Sequence, residues 1–162
     1  MDTYIYLMKM ETLNGEILNN FQLQNSLIRI VDIVNFEGPL VSLFQNINNQ
    51  HLYLFDWVDK DNSFNRWLIY RCNPKILHKF IREEISHYDL FFSDESSCFV
   101  VDIDKHLKWH NITQIEKIEL STSYLPIKDD FFEKCDCPDP EKLEVFLNQS
   151  VESQKQENSG HI

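Results

Sequence analysis

The chain has 162 residues, 43% of them hydrophobic and 13% aromatic, and a formal net charge of −11. This length predicts one domain, and the apolar content is enough to bury a core without disulfides or a structural metal. The negative charge argues against a general nucleic-acid binder and against docking on an anionic membrane, because both functions need a basic surface.

The first half of the chain predicts an antiparallel meander of four short strands. Residues 1–26 form an N-terminal segment without a clear pattern. Leu27–Val34 is rich in β-branched side chains and ends at a turn, after which Leu40–Phe44 resumes the sheet. His51–Cys72 then consists of two aromatic-rich runs around the polar centre Asp59–Ser63, which is the pattern of a β-hairpin.

Two helices are predicted directly after this hairpin. Asn73 followed by Pro74 supplies an N-cap residue and a proline at the first helical position. Four apolar residues then recur at helical spacing and predict one buried helix face: Ile76, Leu77, Phe80 and Ile81. Ser86 and Asp89 have the spacing of a capping box, so a short second helix is expected through Phe92.

The rest of the chain predicts a return to the sheet and one more helix. Cys98–Ile103 is predicted to be a fifth strand and Ile115–Leu120 an edge strand, with His106–Ile112 irregular between them. Asp139-Pro140 repeats the pattern of a cap followed by proline and predicts a helix. Residues 149–162 are polar, lack aromatic side chains and are predicted to be disordered.

Residues 27–148 are therefore predicted to form a single α+β domain. Its expected architecture is an antiparallel sheet of five or six strands with two or three helices packed on it. No apolar run approaches the roughly 18 residues that a membrane span needs, and the start of the chain lacks the basic region of a signal peptide. The four cysteines do not form a disulfide framework in a chain of this size, so a reduced, cytoplasmic protein is expected.

Several short patterns mark the turns and element ends between Leu27 and Leu125. They are Phe36-Glu37-Gly38-Pro39-Leu40, Tyr53-Leu54, an acidic tip with Asp56, Asp59 and Asp61, Arg66-Trp67-Leu68, Glu84-Ile85-Ser86, Asp89-Leu90-Phe91 and Leu125-Pro126. With them this segment, about three-fifths of the chain, resembles a bacterial domain family of unknown function. The resemblance implies a small α+β accessory protein of bacteria, and it carries no established activity because its motifs are structural.

One pair of residues offers an enzymatic alternative. Arg82 and His87 have the spacing of the Arg/His pair of metal-independent HEPN-type ribonucleases, in which His is the general acid/base and Arg holds the phosphate. That family is an all-helical bundle, whereas these residues follow a strand meander. A nucleophile elbow, a phosphate-binding loop and a dinucleotide fingerprint all need glycines that a chain with only three does not supply.

Metal binding is a second alternative. Four side chains of the types that bind zinc lie in the C-terminal part of the chain: Cys135, Cys137, His106 and His110. The spacing of the two histidines is acceptable for zinc, but that of the two cysteines departs from the usual Cys-x2-Cys pattern, and no second cysteine pair follows. No metal and no cofactor is therefore expected.

The aromatic residues are more numerous than one face of the predicted sheet needs: Trp57, Trp67, Trp109, Tyr53, Tyr70 and Phe64. We expect Trp57 and Trp67, rimmed by Asp56, Asp59 and Asp61, to form a docking surface for another protein with a basic or apolar surface. The alternatives are that every aromatic side chain is core, and that the three aspartates bind a divalent cation or simply favour the hairpin turn.

The sequence thus favours a non-enzymatic accessory or neutralising subunit of a bacterial multi-protein system, of the toxin–antitoxin or phage-defence type. Two alternatives stay open beside it. One is the ribonuclease that uses Arg82 and His87, and the other is an acidic mimic of nucleic acid that occupies a basic cleft. No direct contact with nucleic acid or membrane is expected.

Overall fold

A computed structural model describes residues 10–13, 16–19, 24–94 and 97–159. Six strands form one antiparallel sheet in simple sequence order: β3 (Leu27–Asn35), β4 (Pro39–Asn46), β5 (Leu52–Lys60), β6 (Phe64–Cys72), β7 (Ser97–Asp104) and β8 (Trp109–Glu116). A separate two-stranded sheet pairs β1 (Met10–Leu13) with β2 (Glu16–Asn19). The predicted meander is confirmed, while the other parts of the N-terminal segment, residues 1–9, 14–15 and 20–23, lie outside the described residues.

Three helices of six residues or more lie in the described part of the chain: α1 (Pro74–Ile81), α2 (His87–Phe92) and α3 (Pro140–Ser159). Residues 24–26 are also helical. The predicted caps are confirmed at α1 and α2. The Asn73 side chain accepts from the backbone N–H of Lys75 at 2.8 Å, and the Ser86 hydroxyl accepts from that of Asp89 at 3.1 Å. Three single 3-10 turns lie between β8 and α3: Lys117–Glu119, Thr122–Tyr124 and Lys134–Asp136. Sheet and helices together make an α+β fold, as predicted.

Strand alternation divides the buried side chains of the sheet between two faces. On the helical face, Leu54, Leu68 and Tyr70 belong to a core that also contains Leu77 and Phe80 of α1 and further residues of α2 and α3. On the opposite face a second, smaller cluster is strongly aromatic. We call this surface the aromatic face and define it by Phe44, Tyr53, Phe55, Trp57, Trp67, Phe99 and Trp109.

The last strand differs from the prediction. Residues 109–116 form β8, whereas His106–Ile112 was predicted to be irregular and Ile115–Leu120 to be the edge strand. The register with β7 shifts between Val100 and Asp102, and Asn111 has a positive φ of 53°. Such a bulge interrupts the two-residue alternation from which a strand is recognised, and it also makes an exposed edge less able to pair with another chain.

The end of the chain also corrects the prediction. Residues 149–162 were predicted to be disordered, but α3 continues through residues 149–159, and residues 160–162 lie outside the described residues. This stretch contains Gln, Glu and Lys and neither Gly nor Pro before Ser159, so its helix propensity is favourable once Leu143 and Leu147 have anchored the first turns in the core. No helix in the described part of the chain is both long enough and apolar enough to cross a membrane.

Candidate functional site

The pairing of β5 with β6 places Trp57 directly opposite Trp67 on the aromatic face. Both indoles are half-buried. The Trp57 N–H donates to the Asn65 side-chain oxygen at 3.0 Å, which fixes the orientation of its ring. A cross-strand pair of large, partly exposed aromatic side chains is a rigid surface with both apolar area and a hydrogen-bond donor.

Phe55 lies at the centre of the aromatic face. Its ring stacks on Phe44 with the centroids 4.0 Å apart and meets Trp67 and Trp109 edge-on at 6.4 and 6.1 Å. In a flat sheet, the backbones of β5 and β8 would be about 14 Å apart, three strand spacings. The contact with Trp109 therefore requires β8 and its indole to incline toward the middle of this face.

A cavity of about 140 Å³ lies on the aromatic face. Its walls are mostly apolar: Leu27, Pro39, Phe44, Phe55, Trp67, Ile103, Leu107 and Trp109, with Gln24, Arg29 and Ser42 as the polar members. Trp109 is only 3% exposed, and its indole N–H has no hydrogen-bond partner among the described residues. Arg29 and Leu107 are exposed, so the cavity reaches the protein surface.

Two polar side chains of the cavity wall, those of Arg29 and Ser42, are already bonded to a neighbouring carboxylate. Arg29 makes an ion pair with Asp32, with Nε 3.1 Å from Oδ1, and the Ser42 hydroxyl donates to the same carboxylate at 2.6 Å. Burial alone would raise the pKa of Asp32, but the hydrogen bonds from Arg29 and Ser42 outweigh it and hold the pKa below its usual value. Asp32 is therefore ionised and already paired, so Arg29 is not a free cation for a ligand.

Asp56, which the sequence grouped with the tryptophans, lies on the opposite face of the sheet. It is 4% exposed and accepts from the Tyr70 hydroxyl at 2.8 Å and from His87 Nε2 at 2.9 Å. The structure therefore separates Asp56 from Trp57, its neighbour in the chain. The alternation of Leu52, Leu54 and Asp56 along β5 is the sequence signal that could have placed it there.

Asp59 and Asp61 lie at the tip of the β5–β6 hairpin, as predicted. Asp61 accepts from the backbone N–H groups of Ser63 and Phe64 at 2.7 and 3.0 Å, the local bonding that turns favour. Asp59 is exposed and accepts from the Tyr124 hydroxyl at 3.3 Å. Asp59 pairs with Arg66 in the strand register, and Tyr124 packs against the helical-face core, so the Asp59 carboxylate lies on the helical side of the hairpin, as that of Asp56 does.

The two residues of the ribonuclease alternative, Arg82 and His87, differ in their exposure to solvent. Arg82 is exposed at the C-terminal end of α1, and His87 begins α2 with its side chain 13% exposed. Burial lowers the pKa of His87, but the carboxylates of Asp56 and Asp130 outweigh this and raise the pKa to about 10. A histidine held protonated by two carboxylates is a poor general base at neutral pH.

The four candidate zinc ligands do not come together. Cys137 is buried, with its Sγ 3.5 Å from the backbone oxygen of Asp32, while Cys135 is exposed. His106 is exposed in the β7–β8 turn, and His110 bonds to Asp104 at 2.8 Å. Cys135 instead lies within 4.8 Å, between ligand atoms, of two carboxylates, those of Glu133 and Asp136.

Two buried polar contacts were not foreseen from the sequence. Arg66 makes a bidentate pair with Asp102 at 2.7 and 3.1 Å and donates to the Tyr124 hydroxyl at 2.7 Å. Lys117, 3% exposed, donates to the backbone oxygens of Phe91 and Asp94, each at 2.7 Å. Burial lowers the pKa of Lys117. These contacts hold the segment after β8 against the helical face. They join residues far apart in the chain, so no local sequence pattern predicts them.

The aromatic face therefore has the character of a binding surface, because it combines half-exposed indoles with an open apolar cavity. No protein-family model matches the chain, and no match is found among curated proteins or solved structures.

Proposed function

We propose that this chain is a non-enzymatic subunit that binds another protein through its aromatic face. The observation that carries the proposal is the open apolar cavity beside two half-exposed tryptophans, Trp57 and Trp67. The accessory or neutralising role in a bacterial multi-protein system, expected from the sequence, is part of the same proposal.

Tryptophan is the residue type that most often dominates the binding energy of protein interfaces. Its ring buries a large area at a low cost in side-chain entropy, and its N–H gives direction to the contact. Trp57 and Trp67 face each other across two paired strands and are held by them, so little ordering remains to be done on binding. A rigid pair of indoles next to a cavity is suited to an apolar anchor on a partner.

The net charge of the chain indicates which residues flank that anchor on the partner. A net charge of −11 attracts a basic partner surface from a distance and speeds association. The exposed carboxylate of Asp61 lies at the hairpin tip of the two strands that carry the tryptophan pair. The proposed partner therefore presents an apolar contact flanked by lysine or arginine.

The test is capture of the partner from extract of the cells that produce the protein, with three immobilised forms compared at low and at moderate salt. The forms are the wild type, Trp67→Ala and, as a matched control, Tyr88→Ala. Tyr88 is a half-buried aromatic residue of α2, away from the aromatic face, with Lys128 over its ring. Bound proteins are identified by mass, and the binder is purified and titrated against each form.

We expect one stoichiometric binder that is retained at moderate salt by the wild type and by Tyr88→Ala, and is lost from Trp67→Ala. Thermal unfolding of each variant shows that the fold survives. Equal capture by all three forms would place the interface elsewhere and reject this proposal. Binding that vanishes at moderate salt for all forms would favour an acidic mimic of nucleic acid instead.

A further inference from the structure

The half of the aromatic face near the β4–β5 turn is buried, although α1, α2 and α3 all pack on the opposite face. Tyr53, Ile69 and Phe99 are each 0% exposed. They belong to a buried cluster whose members all lie in strands of the six-stranded sheet. The buried residues of the three helices and of the segment after β8 belong instead to the core on the helical face. Within residues 24–94 and 97–159, this half of the aromatic face therefore has no second layer.

A single sheet does not bury the side chains of its own face. They stand roughly perpendicular to the strands, so their outer ends reach water unless another element packs over them. Trp57 and Trp67, at the other end of the same face, are only half-buried. The contrast between the two ends indicates a further layer that covers Tyr53, Ile69 and Phe99 and stops short of the tryptophan pair.

Tyr53 and Arg71 supply a second, independent observation. They are paired in the strand register and lie on the covered half of the face. Arg71 contacts His51 at 3.0 Å between Nη2 and Nε2. Tyr53 and Arg71 each make a further interaction that no contact between described residues supplies. The covering layer therefore reaches these two side chains.

The N-terminal part of the chain is within reach of this position. Gln24, the first described residue after β2, is 1% exposed and lines the cavity on the aromatic face. The chain from Asn19, the end of β2, to Gln24 spans at most about 18 Å. The backbones of β3 and β6 are about 14 Å apart, which is three strand spacings. The hairpin β1–β2 can therefore lie over Tyr53 and Ile69 while the chain enters β3.

The hairpin β1–β2 also needs a surface to pack on. Its strands have four residues each, and a two-stranded hairpin alone is at best marginally stable in water. Residues 1–23 contain many apolar side chains that suit such a surface, among them Ile5, Leu7, Met8, Ile17 and Phe21. A hairpin that needs an apolar surface and a sheet face that needs a cover are complementary.

We propose that residues 1–23, including the hairpin β1–β2, form a second layer on the half of the aromatic face that contains Tyr53, Ile69 and Phe99. This layer leaves Trp57 and Trp67 uncovered. It restricts the surface that another protein can reach to the half near the β5–β6 tip. The inference goes beyond the proposed function and does not depend on it.

The test measures how close the hairpin comes to each face of the sheet. A nitroxide is attached at the turn between β1 and β2 in full-length Asn14→Cys/Cys135→Ser, whose other cysteines are buried. NMR then follows methyl signals, which a nearby nitroxide weakens steeply with decreasing distance. Ile69 and Leu68 are neighbours in the chain and point to opposite faces. We expect the Ile69 signals to lose most of their intensity and the Leu68 signals to lose far less.

The wild type labelled at Cys135 is the matched control. Cys135 is the exposed cysteine, and it lies in the segment that packs on the helical face through Phe132 and Cys137. The order should therefore reverse, with Leu68 losing more intensity than Ile69. Glu16→Cys, also combined with Cys135→Ser, gives a second label position in case the change at the turn disturbs the hairpin.

Equal losses at Ile69 and Leu68, or no loss at either, for both label positions in the hairpin would overturn the proposal. A mixture of nitroxide-labelled chains with separate chains that carry only the isotope tests the source of the layer. Weakening of the Ile69 signals in that mixture would place a second copy on the face and overturn the assignment to the chain's own segment. No partner takes part in these measurements, so neither failure affects the capture experiment that tests the proposed function.

Discussion

His87 and Asp56 form an ion pair beneath the helices, with 2.9 Å between Nε2 and Oδ2. The pair joins the first residue of α2 to the middle of β5. On the other side of the imidazole, Nδ1 lies 3.9 Å from a carboxylate oxygen of Asp130, whose backbone oxygen also accepts from the His87 backbone N–H at 2.8 Å. One protonated ring thus holds a strand, a helix and the loop before α3 together.

This arrangement predicts that the stability of the protein falls at alkaline pH. The two carboxylates raise the pKa of His87 from its ordinary value of 6.5 to about 10, against the lowering effect of burial. A raised pKa in the folded state contributes stability that is fully present below 6.5 and is lost as the pH rises through about 10. The free energy of unfolding should therefore decrease over this range, by at most about 1.4 kcal/mol per pH unit for one proton.

The measurement is urea unfolding of the wild type and of His87→Gln at several pH values between about 6 and about 10. Other groups titrate in the same window, among them Lys117, whose lowered pKa acts in the opposite direction. The difference between the two proteins removes their contribution. A difference that stays constant over the whole range would show that folding does not change the pKa of His87.

Removal of Asp56 should be among the most damaging single changes on the helical face. Asp56→Ala leaves the His87 charge and the Tyr70 hydroxyl without their shared acceptor inside the core. Breaking one partner of a buried ion pair costs about 3–5 kcal/mol of unfolding free energy. Asp129→Ala is the control, because this exposed carboxylate is expected to change stability by less than about 0.5 kcal/mol. Equal stabilities of the two variants in urea would contradict the proposed importance of the pair.

The sequence was sufficient where structure is determined locally. The caps at Asn73 and Ser86 and the hairpin around Asp61 were predicted because each depends on a few neighbouring residues. The last strand was misplaced because the bulge at Asn111 breaks the alternation within it. The α+β fold was accessible because its strands follow one another in the sheet in chain order.

The candidate site was predictable only in part. The cross-strand pair of Trp57 and Trp67 follows from a hairpin centred where the sequence places it. The position of Trp109 beside Phe55 does not follow from the sequence, because it depends on how β8 inclines over the aromatic face. Asp56 was grouped with Trp57 and Trp67 because the acidic composition of the segment was given more weight than the two-residue period of the strand.

Arg66 should be needed for the junction between the sheet and the segment after β8. Its guanidinium makes two hydrogen bonds to Asp102, which is 1% exposed, and one to the Tyr124 hydroxyl. Arg66→Lys keeps the charge and loses the planar, bidentate geometry, so we expect it to lower the free energy of unfolding by about 1–3 kcal/mol. Arg82→Lys, at an exposed helix end, is the matched control and should be neutral. If Arg66→Lys leaves the free energy of unfolding unchanged, the single hydrogen bond that a lysine makes to Asp102 is enough to hold this junction.

The four thiols should differ sharply in their reactivity toward an alkylating reagent. Burial raises the pKa of Cys98 to about 12 and also raises that of Cys72, and both side chains are enclosed by strands of the sheet. Cys137 is buried as well, with a raised pKa caused by its burial, whereas Cys135 is exposed. Only an accessible thiolate reacts with the reagent. At about pH 8 the native protein should therefore be alkylated rapidly at one cysteine, Cys135.

Mass spectrometry after proteolysis locates and counts the modified residues over time. In urea all four thiols should react at similar rates, which provides the reference for full exposure. The variant Cys135→Ser should lose the rapid phase entirely while keeping the slow phases, since these require opening of the sheet. Rapid modification of Cys72 or Cys98 in the native wild type would show that the core beneath α1 and α2 opens far more readily than its packing predicts.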